Sequence, residues 1–194
     1  MEKTEILDFV RHMKPKDHVV MFYSDPEDKH QVLFTYLKAG LENGETAVYV
    51  AGEETPNEIR EAMKQLGTNV ERYEREGALR IIDYREWFIV DGKFDLVRTM
   101  SLLMEMHKEV KARGFKGLRF TGEMACFFKH GLVKELVEYQ ESLHRVLEVP
   151  ITVICAYNSD MVAKYRNGEL YLELIKAHGA VIFTGSKGGV IKSY

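Results

Sequence analysis

The chain has 194 residues, with 27 Lys and Arg against 30 Asp and Glu, a formal net charge of -3 and 45% hydrophobic residues. That is enough sequence to bury the core of one α/β domain, and only four prolines and fifteen glycines exclude collagen-like and disordered classes. The slight acidity excludes an overall electrostatic footprint for nucleic acid or an anionic membrane, and no apolar run approaches the roughly 20 residues of a bilayer span.

Residues 1–15 predict a leading helix, because Ile6, Phe9, Val10 and Met13 form an apolar stripe, and the absence of a signal-peptide core after Met1 points to the cytoplasm. His18 to Tyr23 reads as a first buried strand. Asp25 is a candidate N-cap with Pro26 at the first helical position, Val32, Leu33, Tyr36, Leu37 and Leu41 recur at helical spacing, and Asn43-Gly44 stops the helix. Strands then follow at Thr46 to Ala51 and Leu79 to Ile82, with a helix from Glu58 to Leu66 between them. A long helix from Leu96 to Val110 leads to a strand at Gly117 to Thr121, and a helix from Leu132 to Leu147 leads to one at Ile151 to Ala156. Ala180 to Thr184 is the last core strand, and the tail from Gly185 to Tyr194, through Ser186, Lys187 and Ser193, folds back as a short edge strand. Continuous Val, Ile, Leu and Phe in these runs is the mark of a mostly parallel sheet of about six strands, covered by helices on both faces as a three-layer αβα domain spanning 1–194.

Ligands of such sheets bind beyond the carboxyl ends of the strands. The candidate rim there comprises Tyr23, Ser24 and His30 after the first strand, Glu53 and Glu54 after the second, Asp83 after the third, Glu123 after the fourth and Tyr157 after the fifth. Asp25, Glu54 and Asp160 serve equally well as helix caps. Arg119, inside a strand, needs a partner, for which Glu123 or Asp83 are candidates. The segment from Asp83 to Val90, carrying Trp87, is either a lid over a ligand or a plug at the core edge. Cys126 and Cys155 read as small core residues, and the seven histidines show no spacing for a metal site, so no metal or cofactor is expected.

The first loop is informative about phosphate. A phosphate-binding loop needs glycines and a Lys followed by Ser or Thr, whereas Ser24 to His30 contains no glycine, has Asp28 before Lys29, and places His30 where the hydroxyl belongs. Ordinary ATP binding is not expected.

The run from Phe34 to Val50, with Glu53-Glu54-Thr55, Leu66-Gly67 and Gly77 to Asp83, resembles the RecA-like ATPases of the KaiC type with that loop eroded. More specifically, His18 to Tyr23, Gly40 to Glu45, Gly117 to Met124, Cys155-Ala156-Tyr157 and His178 resemble the MEDS sensory domain, named from methanogens, methylotrophs and the regulator DcmR. The resemblance covers roughly Lys16 to Thr184. It implies a RecA-like, non-catalytic sensor of small hydrocarbon derivatives, with Tyr23 and Tyr157 ending neighbouring strands and lining one crevice. Because no kinase or helix-turn-helix segment accompanies it, output is expected through a separate signalling or regulatory protein. The ligand-binding set is then Tyr23, Ser24, His30, Asp83, Trp87, Arg119, Glu123 and Tyr157. Two other readings stand beside it: an ATPase in which Lys29 holds phosphate and Glu123 activates water, and an oligomerisation subunit.

Overall fold

The computed structural model describes residues 3–146, 149–165, 168–185 and 188–192, so Met1, Leu147, Ser186, Lys187, Ser193 and Tyr194 lie outside the described residues. Two runs without a polar face become fully buried strands, β1 (His18–Tyr23) and β2 (Thr46–Ala51). They are joined by β3 (Leu79–Asp83), β6 (Leu118–Glu123), β7 (Ile151–Asn158), β8 (Ala180–Phe183) and β9 (Gly189–Lys192) in one seven-stranded sheet of order β3-β2-β6-β7-β1-β8-β9. Every pairing is parallel except β8 with β9, as the tail's reading as an edge strand requires.

Side-chain alternation along each strand divides the core in two. Val19, Met21, Tyr23, Ala47 and Tyr49 face a layer made by α1 (Lys3–Arg11), α2 (Pro26–Glu42), α3 (Pro56–Gln65) and α4 (Val70–Arg75). Val20, Phe22, Phe120, Cys155 and Tyr157 face the opposite layer of α5 (Tyr84–Trp87), α6 (Leu96–Ala112), α7 (Ala125–Lys129), α8 (Val133–Val146), α9 (Ser159–Lys164) and α10 (Glu169–Lys176). Tyr23 and Tyr157 therefore project from opposite faces of the sheet. Their strands are neighbours, but the register pairs Tyr157 with Phe22, and the two phenols do not line one crevice.

Arg119 finds neither Glu123 nor Asp83. Its guanidinium lies 2.5 Å from Glu45 and donates to the carbonyls of Val10, Tyr36 and Arg11 at 3.0, 3.0 and 3.3 Å, tying α1 and α2 to the sheet. It sits four residues before Glu123, roughly 13 Å down the strand from the rim. Trp87 is buried against Phe120, with ring centroids 5.2 Å apart, and Asp83 caps α5 while binding Arg85. After α5 the chain forms a hairpin of β4 (Ile89–Val90) and β5 (Lys93–Phe94), turned by Asp91 and Gly92, both at positive φ.

Candidate functional site

β6 and β7 lie between β1 and β2 in the sheet, so the loops leaving β1, β2 and β6 face one another across the point where the strand order reverses. The first loop is held rigidly. Asp25 caps α2 by accepting from the Glu27 N–H at 2.8 Å, and Pro26, at the first helical position, has no N–H to offer. Of the donors that a helix start would present to a phosphate, the first is thus missing and the second already taken.

Lys29, on the first turn of α2, is the centre of the site. It is 1% exposed and donates to Glu123 at 2.5 Å, Glu54 at 2.8 Å and Glu53 at 3.3 Å. Its ammonium also lies 5.3 Å from the Tyr23 ring centroid. Burial alone would lower the lysine's pKa, but its contacts with Glu123, then Glu54 and Glu53, outweigh that and raise it above the ordinary value.

Glu123 is completely buried and fully used. One carboxylate oxygen accepts from Lys29 and, at 2.7 Å, from the Tyr49 hydroxyl; the other accepts from the N–H groups of Gly52 and Glu53, each at 2.7 Å. Four donors meet the roughly four lone-pair sites of a carboxylate, leaving none for activating a water. Gly52 permits this closeness, because a Cβ there would stand 2.4 Å from the Glu123 carbonyl oxygen. The phenols of Tyr23 and Tyr49 are held protonated, first by burial and then by the neighbouring carboxylates.

At the rim, His30 contacts Glu54 at 2.7 Å and stacks on Phe34 with ring centroids 4.8 Å apart. The hydrogen bond from His30, followed by those from Lys29 and set against partial burial, holds the Glu54 carboxyl at about 2. Of the residues singled out from sequence, Tyr23, His30, Glu53, Glu54 and Glu123 come together here, with exposed Ser24 on the adjoining loop. Asp83, Trp87, Arg119 and Tyr157 do not join them. Tyr49 and Gly52 were missed: a tyrosine and a glycine at the end of an apolar strand look like packing until the partner strand is known.

A lysine at the start of the helix after β1, an acid at the end of β6 and a strand order that reverses between them define a RecA/KaiC-like α/β scaffold. A KaiC-like protein from Pyrococcus horikoshii superposes with a TM-score of 0.60 at 20% identity, covering 92% of this chain and 79% of that one, a likeness of fold alone. The model of the MEthanogen/methylotroph, DcmR Sensory domain matches residues 17–178, and the chain belongs to this MEDS family. Similarity also extends to a UPF0273 protein of Aeropyrum pernix, 30% identical over 110 residues, and one of Pyrococcus furiosus, 28% identical over 110. Each match takes in 51% of this chain and 44% of the relative, so the chain spans less than half the length of these curated relatives.

Proposed function

We propose that the chain senses a small, largely uncharged organic molecule at the rim of Tyr23, Ser24 and His30, without hydrolysing nucleotide, and signals its occupancy to a separate protein. The observation that carries this reading is the enclosure of Lys29 by Glu53, Glu54 and Glu123. In a phosphate-binding site the lysine's charge is available to the ligand; here one ammonium answers three carboxylates. A phosphate oxygen brought within about 4 Å of those carboxylates is repelled by about 4 kcal/mol per unit-charge pair at an effective dielectric of about 20, and a single lysine does not offset several such pairs. A neutral molecule meets no such repulsion, and Ser24 and His30 are the groups of this rim that reach the surface. Membership of a family described as sensory supports the same role.

A thermal-shift screen of short alcohols, aldehydes and halogenated alkanes, run beside ATP with magnesium, tests the reading. The expected result is a reproducible rise in Tm with a neutral compound, reduced in Tyr23→Phe or His30→Ala, and none with ATP. Phosphate release from ATP that disappears in Lys29→Ala and Glu123→Gln would overturn it in favour of a nucleotide hydrolase.

A further inference from the structure

At the opposite end of the sheet, residues scattered in sequence meet. We infer that His18, Cys155 and His178 form a site for a thiophilic divalent cation of the zinc class, with one coordination position left for a further donor. His18 begins β1, Cys155 lies on the neighbouring β7, and His178 follows α10 just before β8. All three are buried, and one donor atom from each lies within 4.8 Å of the other two. The sequence positions 18, 155 and 178 conceal this group, which the pairing of β1 with β7 and the turn before β8 bring together.

One donor pair already has the spacing of tetrahedral coordination. His18 Nε2 stands 3.7 Å from Cys155 Sγ. Zinc bonds of about 2.3 Å to sulfur and about 2.0–2.1 Å to nitrogen place such donors roughly 3.6 Å apart. The His18 and His178 rings lie with centroids 4.0 Å apart, so ligation of one ion requires them to part by about 1 Å. Nδ1 of His178 lies 2.6 Å from the Leu174 carbonyl oxygen, which only accepts, so Nδ1 carries the proton and Nε2 is the basic nitrogen. That backbone contact is the supporting hydrogen bond that metal-ligating histidines habitually make. His18 Nδ1 is buried without a hydrogen bond among the described residues.

The two imidazoles are uncharged, as ligation needs, whereas the thiol must give up its proton. Burial, then the neighbouring imidazoles, hold His18 well below its usual pKa, and burial lowers His178 to about 4, so both rings are neutral ligands at neutral pH. Burial pushes the Cys155 thiol up to about 12, and its S–H donates to Gln140 Oε1 at 3.3 Å. On binding, the S–H bond breaks, a sulfur–metal bond forms, and the proton passes to solvent. A cavity of about 250 Å³ adjoins His18 and is lined also by Asp17, His144 and Gly179. Three protein donors leave the fourth position of a tetrahedral ion to water or to a small donor ligand.

The test is a titration of the chelator-treated full chain with cobalt(II), followed by zinc(II). Expected are the visible bands of tetrahedral cobalt and a thiolate-to-cobalt charge-transfer band, saturating at one equivalent, bleached by zinc, with one proton released per metal. Cys155→Ser should lose the charge-transfer band, and His178→Gln should weaken binding by more than the roughly tenfold that a supporting hydrogen bond is worth. The exposed-site control His12→Ala should match the unmodified chain. Far-UV circular dichroism identifies any variant that fails to fold, and the unmodified chain decides the matter by itself. Absence of the charge-transfer band at saturating cobalt overturns the site, as does its survival in folded Cys155→Ser.

Discussion

Lys29 and Glu123 are a buried pair whose value lies in mutual dependence. Removing one partner of such a pair leaves the other's charge buried without compensation, at a cost of about 3–5 kcal/mol. Lys29→Ala is therefore expected to lose about that much stability in urea unfolding, and adding Glu123→Gln should restore part of it. Equal losses in the single and double variants would contradict the pairing. The lysine's place was legible in sequence from the strand, loop and helix order. Its neutralisation was less so, because Glu53-Glu54 and Glu123 come from the ends of two different strands and meet only through the register of β2 with β6. Residue type alone also assigned Arg119 to the rim; what decides its position is strand depth, which depends on where β6 starts.

At the scale of elements, the same arginine makes a separate prediction. With its bonds to Val10 and Arg11 it supplies donors to the carboxyl end of α1, which packs on α2 and β9. Arg119→Ala should raise amide exchange in α1 more than about tenfold, the loss of one charge-assisted hydrogen bond, while the strands stay protected. Unchanged exchange in α1 would show that its apolar face suffices. The core strands and the long helices were legible because continuous apolar runs and 3.6-residue stripes are strong local patterns. Short pieces such as α4, α9 and the β4–β5 hairpin were not: their length is set by tertiary contacts, although Asp91-Gly92 did carry the turn chemistry of the hairpin. Which face of the sheet receives Tyr157 depends on one residue of register, and the sequence holds no local cue for it.

For the whole molecule, the acidic rim sets a pH dependence. Glu54 titrates at about 2 when folded against 4.5 as a free side chain. Because the folded value is the lower one, the stabilisation is complete above about 4.5 and is lost as pH falls toward about 2. Glu54→Gln should flatten the Tm profile across that window, and an unaltered profile would mean that the contacts of His30 and Lys29 with Glu54 contribute nothing.

In this RecA/KaiC-like scaffold Lys29 is already engaged by Glu53, Glu54 and Glu123, and the proposed reading is that no seat for a triphosphate is left. Isothermal titration calorimetry of the full chain with ATP and magnesium measures this directly. The account predicts no saturable heat with the unmodified chain. A one-site isotherm at micromolar ATP, abolished by Lys29→Ala, would contradict it.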